Sequence, residues 1–220
     1  MTTEKFNQYC QSVNADLANM MQGSDEWFKY KIGKVGASRV GDVMAKGTGA
    51  TRKNYMTELL VARLTGEYPD SYTSPAIQWG IDNEPLARSA YEIHTGHMVQ
   101  EVGFIHHPTI KGFGASPDGI IGDVGGLEIK CPNTATHLDT MMTGKIKRDY
   151  ILQMQTGMAC AELEWWDFVS FDPRLPGKLE MWIHRVYRDD NLIAEIEREV
   201  KLFIEELDEL ERKCHEMQNA

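Results

Sequence analysis

The chain predicts an α/β fold with a central mixed β-sheet flanked by helices on both sides, and three observations carry that expectation. The middle of the sequence is β-like in three runs, residues 97–107, 113–121 and 127–131. Stretches with apolar residues three and four apart come before and after these runs. Two further strand-like runs, 166–171 and 179–187, lie between helical patterns, so strands and helices interleave along the chain.

Taken in order, Phe6, Tyr9, Val13, Leu17 and Met20 stand at helical spacing and predict a short amphipathic helix. Ser24-Asp25-Glu26 caps a second helix through Trp27, Phe28 and Ile32, ending near Gly33. Ser38 begins a third, reaching Met44 before the loop Lys46-Gly47-Thr48-Gly49. Residues 54–64 form another, closed by Gly66. Tyr72-Thr73-Ser74-Pro75 marks a connector, a long helix follows over 77–93, and Gly96 stops it. Helices over 134–142 and 149–161 follow the three strand runs, and an amphipathic helix from Asn191 to about Cys214 closes the order. No internal repeat or low-complexity tract interrupts it.

A chain of 220 residues suits one substantial domain, and 42% apolar with 25% charged residues is ordinary for a soluble globular protein. No apolar stretch is long enough to span a bilayer, and Met1-Thr2-Thr3-Glu4-Lys5 lacks a signal-peptide core, so a cytoplasmic protein with no membrane partner is expected. Cys10, Cys131, Cys160 and Cys214 are scattered without a Cys-x-x-Cys pair, which argues against a zinc ribbon or a disulfide framework. His94, His97, His106 and His107 lack metal-ligand spacing and read as structural or surface groups. A net charge of −10 argues against nonspecific duplex binding over the whole surface. Its distribution is uneven: residues 28–53 carry a local +6 and residues 189–216 a local −7. A basic arm and an acidic tail segment are expected to be spatially separable, the latter as a solvated face.

The strongest functional signal lies between Ser116 and Cys131. Asp123-Val124-Gly125-Gly126 is a turn signal whose glycines can take positive φ, and the flanking Gly119-Ile120-Ile121 and Leu127-Glu128-Ile129-Lys130 complete a hairpin. Alternation puts Leu127, Ile129 and Cys131 on a core face, with Glu128 and Lys130 on the other. Pairing across the turn would bring the Asp118 carboxylate near Glu128. Two carboxylates beside a lysine make a candidate Mg²⁺ site, since this hard cation takes one or two carboxylates and keeps several waters. The backbone carbonyl of Ile129 is a possible third oxygen. Lys130 would orient or deprotonate water, or offset charge developing on phosphate. The implied chemistry is phosphodiester hydrolysis. The same Glu-x-Lys alternation is also a common solvent-face pattern, and Pro-Asp-Gly is ordinary turn chemistry.

Pro117-Asp118 followed by Glu128-Ile129-Lys130 resembles the signature of the restriction-endonuclease-like PD-(D/E)xK nuclease superfamily. Ala115-Ser116-Pro117-Asp118-Gly119, Leu127-Glu128-Ile129-Lys130-Cys131-Pro132, Gln78-Trp79-Gly80 with Glu84, and Tyr150-x-x-Gln153-x-Gln155 together resemble the phage lambda exonuclease and YqaJ-type viral recombinase family, over residues 22–174. The resemblance implies a restriction-endonuclease-like core in a single nuclease domain, residues 1–220, with an acidic C-terminal helix in 189–216. It implies a Mg²⁺-dependent 5′→3′ exonuclease on linear double-stranded DNA, with a two-ion site that Mn²⁺ can also fill. The product would be 3′ single-stranded DNA for annealing-based recombination.

On that resemblance Asp118, Glu128 and Ile129 hold metal, and Glu84 faces the site directly or through water. Gln153 lies near the scissile phosphate, and Tyr150 is its neighbour on one helix face. Lys31, Ser38 and Ser116 map onto a pocket for the 5′-terminal phosphate, with Lys31 standing where the lambda protein has arginine. Lysine keeps the charge and loses the bidentate fork. Ile77 maps onto a strand-separating wedge. A ring-shaped homotrimer around DNA, a single-strand annealing protein as partner, and a phage or prophage origin in a bacterial host are implied as well. Two other functions fit the same residues: an endonuclease of the same superfamily, which needs no DNA end, and a noncatalytic DNA-binding recombination scaffold.

Overall fold

The computed structural model describes residues 20–45, 50–68 and 74–219; the helix expected before Met20 and the loop 46–49 lie outside them, as does Cys10. Helix α1 (Asp25–Lys31) begins as expected, with Ser24 Oγ accepting from Trp27 N at 3.2 Å. Asp25 and Glu26 fill its first turn and Lys29 and Lys31 its last, complementing the helix dipole. Strand β1 (Val35–Gly36) leads into a 3₁₀ turn (Ala37–Arg39) and the short α2 (Val40–Val43), so Ser38 sits within the 3₁₀ turn and does not cap a longer helix. Helix α3 (Ala50–Thr65) gives way to Gly66 at φ 71°. In α4 (Pro75–Thr95) Ser74 caps the first turn, Pro75 needs no donor there, and Gly96 ends the helix in the left-handed conformation.

Strands β2 (Val99–Gln100), β3 (Ile105–His106), β4 (Phe113–Ala115) and β5 (Gly119–Ile121) replace the two longer runs expected over 97–107 and 113–121. The second break falls at Ser116-Pro117-Asp118, where Pro117 has no N–H to give a ladder. The chain changes sheets at that point. One sheet has the order β1-β4-β3; the other joins β2, β5, β6 (Gly125–Lys130), β7 and β8 in that order. Between β6 and β7 (Trp165–Phe171) come α5 (Thr134–Thr143) and α6 (Arg148–Ala161); β8 (Met181–Tyr187) and α7 (Asp190–Gln218) complete the chain. β6 and β7 are parallel, which requires such a crossover, while β5–β6 and β7–β8 are antiparallel. The expected mixed sheet is thus present. Met154 and Met158 of α6 cover one face beside Trp166 and Phe168, and Ala87 and Tyr91 of α4 cover the other beside Leu127, Ile129 and Val169.

Three expectations need correction. Gly125 and Gly126 are strand residues, and the positive φ of the turn belongs to Gly122, at 54°. A Cβ on Gly125 would lie 2.3 Å from the Trp165 ring, and one on Gly126 2.5 Å from Trp166. These glycines exist so that tryptophans of the next strand can lie across them. Gly126→Ala should therefore destabilise the fold by about 1–3 kcal/mol through overpacking, read as a lower urea midpoint at unchanged m-value. An unchanged midpoint would mean that the Trp166 ring yields freely.

Second, the Glu128 face of β6 is not a half-exposed charged surface. Glu128 pairs in register with Phe168, on which Tyr150 of α6 stacks at 5.7 Å, and it is only 2% exposed. Third, basic arm and acidic tail are not apart. Helix α7 buries Ile193, Ile196, Val200, Phe203 and Leu207 at helical spacing, the last four in one cluster with Tyr55, Met56 and Leu59 of α3. That docking sets Arg52 against Glu206 at 2.8 Å, and Arg63 against Asp208 at 2.6 Å and Glu211 at 2.9 Å. Such exposed pairs contribute little individually; the apolar stripe drives the contact.

The histidines are structural where their contacts are described. His107 Nδ1 accepts from Thr109 N at 3.3 Å and Ile110 N at 3.2 Å, which leaves the proton on Nε2, facing Glu197 Oε1 at 3.2 Å. Burial lowers its pKa, with Glu197 opposing. A depressed histidine pKa means the unfolded chain binds the proton more readily, so stability is lost as pH falls through and below about 6.5. Urea midpoints at pH 7.5 and 5.5 should fall more steeply in the wild type than in His107→Gln, which does not titrate.

Candidate active site

The Pro117-Asp118 break lies where the chain leaves one sheet for the other, and the hairpin register explains what it meets. Gly119 pairs with Leu127, so Asp118 falls opposite Glu128. Asp118 Oδ2 accepts from Ile129 N at 2.6 Å, which fixes the carboxylate across the two strands. Glu128 Oε1 is in ion-pair contact with Lys130 Nζ but has no hydrogen-bond partner of proper geometry among the described residues. The convergence expected from the hairpin is therefore present in the fold.

Electrostatically the cluster is poised. Burial pushes the Glu128 carboxyl up to about 8, Lys130 opposing and Asp118 adding to the rise. Burial likewise raises Asp118, against the pull of Lys130, the Ile129 N–H and Arg88. Glu84, on α4, is raised to about 7 by burial and by the charge of Asp118. Burial alone would lower Lys130, but Glu128 and Asp118 outweigh it and hold the ammonium above its ordinary value.

Arg88 was not anticipated from the sequence. Its Nη2 donates to Glu84 Oε1 at 2.6 Å, its Nε to the Asp118 carbonyl at 3.1 Å, and its Nη1 lies 3.1 Å from Glu101 Oε2. It ties the glutamate of α4 to the backbone of the segment that carries Asp118. The available signal was its position four residues after Glu84, on the same helix face.

Helix α6 supplies the far wall. Lys130 Nζ lies 5.2 Å from the Tyr150 ring centroid, so Tyr150 borders the lysine. Gln153, on the same face, opens into a cavity of about 140 Å³ that Gln22, Trp27, Lys31, Ser38 and Ser116 also line. Lys31, Ser38 and Ser116 thus line one cavity. Lys31 has no ion-pair partner among the described residues, and burial lowers its pKa to about 8. Gln155 instead fixes the entry to α7, where its Nε2 donates to Tyr187 O and its Oε1 accepts from Asp189 N. Ile77 is 52% exposed on the first turns of α4, two turns before Glu84. A larger cavity, about 500 Å³, runs along α3 past Asn54, Glu58 and Val61 and takes in none of these residues.

The donors at the cluster suit a hard cation. Asp118, Glu128, Glu84 and the Ile129 carbonyl are all oxygen ligands, and a buried carboxylate without a full hydrogen-bond complement is what a cation would relieve. Among the described residues no three His, Cys, Asp or Glu side chains close into a cage.

The mixed sheet thus carries an acidic pair and a lysine at its junction, beside a cavity that Lys31 lines. The chain belongs to the YqaJ-like viral recombinase domain family, which matches residues 26–164 and so takes in every site residue expected from the sequence. It is similar to the alkaline exonuclease LHK-Exo from Laribacter hongkongensis, with 52% identity over 89% of this chain and 98% of that one, and a TM-score of 0.85. The structure of LHK-Exo in complex with dAMP matches at 54% identity over 88% of this chain and 100% of that one, TM-score 0.82. A phage-related exonuclease from Haemophilus somnus 129PT, at 16% identity over 82% of this chain and 96% of that one, shares the fold with a TM-score of 0.64. No curated protein matches the chain.

Proposed function

We propose that this chain is a Mg²⁺-dependent 5′→3′ exonuclease on linear double-stranded DNA that leaves 3′ single strands for annealing-based recombination. Exonuclease action on DNA follows from its family and from its 52% identity to an alkaline exonuclease. The finer reading rests on one observation: the Asp118–Glu128–Lys130 cluster and the Lys31 cavity are joined through the same short segment, Ser116-Pro117-Asp118. The dAMP bound by LHK-Exo is a deoxynucleoside monophosphate, the product class that hydrolysis from a DNA end releases.

Asp118 and Glu128 would hold the metal, with the Ile129 carbonyl beside them and Glu84 acting directly or through water. When bound, Mg²⁺ or Mn²⁺ in a two-ion site supplies Lewis acidity toward phosphoryl oxygens and lowers the pKa of water. Lys130, kept cationic by its carboxylate neighbours, offsets charge that develops on phosphate and helps orient water. Gln153 reaches the same region from α6 as a neutral donor, with Tyr150 shielding the lysine. Lys31, Ser38 and Ser116 grip the 5′ phosphate, for which a buried ammonium and hydroxyls are suitable partners. Ile77, exposed on α4, serves as the wedge that parts the strands.

A homotrimeric ring would reconcile the acidic chain with DNA, by turning basic residues toward a lumen. A single-strand annealing protein would take over the product. The setting is the cytoplasm of a bacterial host carrying the phage or prophage; among the described residues no helix is long and apolar enough to cross a membrane. Linear duplex and covalently closed circular duplex, each with Mg²⁺ and with EDTA, test the reading. Release of nucleotides from the linear form alone, and only with Mg²⁺, is expected. Cutting of the circle would favour the endonuclease, and binding without release the scaffold.

A further inference from the structure

We propose that Trp27 is a positioning residue that sets preference for a 5′-terminal phosphate, an inference that rests on the phosphate pocket proposed above. Two contacts carry it. The Trp27 Nε1–H lies 3.1 Å from Ser116 Oγ and 3.3 Å from the Gly103 carbonyl. An indole N–H can only donate, so Ser116 Oγ accepts, and the serine keeps its own hydrogen for a ligand in the cavity. On the other side, Lys31 Nζ stands 3.6 Å from the Trp27 ring centroid. Residues 27 and 31 are one turn apart on α1, so a single side chain orients both a hydroxyl donor and a cation.

The helix that carries them is itself pinned to the segment bearing Asp118. Gln22 Nε2 donates to the carbonyls of Val102 and Pro117, each at 2.8 Å, so the residue before Asp118 and the approach to α1 move together. A terminal phosphate offers only acceptors and negative charge, and it needs donors already aimed at it. Without the indole N–H, Ser116 is free to turn its hydrogen away from the cavity. Without the ring, Lys31 loses the surface that holds its ammonium in place. A 5′-hydroxyl end uses neither feature fully, so Trp27 acts on the difference between the two ends.

The experiment is the ratio of kcat/KM for 5′-phosphoryl over 5′-hydroxyl linear duplex, in wild type, Trp27→Phe, Ser116→Ala and the double variant. A general loss of fold or activity cancels in the ratio. The wild type should prefer the phosphorylated end, and Trp27→Phe should lower that preference about three- to tenfold, the range one hydrogen bond supports. In the Ser116→Ala background Trp27→Phe should lower it much less, because the two act as one unit. Benzothienylalanine at position 27 keeps the bicyclic shape and lacks the N–H, so it should reproduce the effect even if the phenylalanine variant folds poorly. Binding of the same two duplexes without metal, by fluorescence anisotropy, should show the same narrowing. A wild-type preference that persists unchanged in both position-27 variants would overturn the role of Trp27 and leave the pocket standing. No preference in the wild type would overturn both.

Discussion

Asp118→Asn is expected to reduce Mg²⁺-supported nucleotide release from linear duplex on the order of a thousandfold, since metal-borne charge stabilisation is worth several kcal/mol. The substitution isolates charge from shape. Asparagine has the same outline, and its Oδ1 can still accept from the Ile129 N–H that Asp118 holds at 2.6 Å. The strand junction should therefore survive. Burial already disfavours the ionised carboxyl, so the metal-free variant should melt no lower than the wild type. A rise in melting temperature with Mg²⁺, by mass action on the folded state, is expected in the wild type and should vanish in the variant. Melting with and without Mg²⁺, run beside the nuclease assay, reads both effects. Near-normal release by the variant would remove Asp118 from the cutting centre.

Lys130→Met should cost both activity and stability. Methionine keeps an unbranched apolar stem and loses the ammonium that contacts Glu128. Glu128 is 2% exposed and its carboxyl is already raised to about 8, so loss of the ammonium pushes it higher still; the cost in stability should therefore appear chiefly above pH 8, where the wild-type carboxylate is ionised against Lys130. The discriminating control is Lys130→Met with Glu128→Gln. Removing both charges should restore much of the stability while activity stays lost, because the proposed metal donor and the cation are then both absent. Urea midpoints for the two single variants and the double one measure this. If the double variant were as unstable as Lys130→Met alone, the loss would come from packing, not from an orphaned charge.

Local signals in the sequence were sound where a single segment decides the outcome. Ser24 caps α1, Ser74 caps α4 and Gly96 ends it, because caps and left-handed glycines depend only on neighbours in the chain. The approach of Asp118 to the Glu128 strand was legible from the hairpin pattern, although the turn that sets the register ends before Gly125, not after Gly126. Gly125 and Gly126 misled, because the tryptophans that require them lie on β7, past α5 and α6. The burial of Glu128 was hidden for the same reason: α6 roofs a face that alternation alone marks as charged. Pro117 could have signalled the break between β4 and β5, as it cannot donate to a ladder. Trp27, Gln22 and Arg88 act through partners far away in sequence, and only the folded chain brings these together.

The most direct measurement follows the order of release from linear duplex labelled separately at each 5′ and each 3′ end, digested with Mg²⁺. Early appearance of the 5′ label as mononucleotide, with the 3′ label retained on shortening single strands, is the expected result. Early release of the 3′ label, or equal release of both, would contradict a 5′-directed cutting centre at Asp118, Glu128 and Lys130.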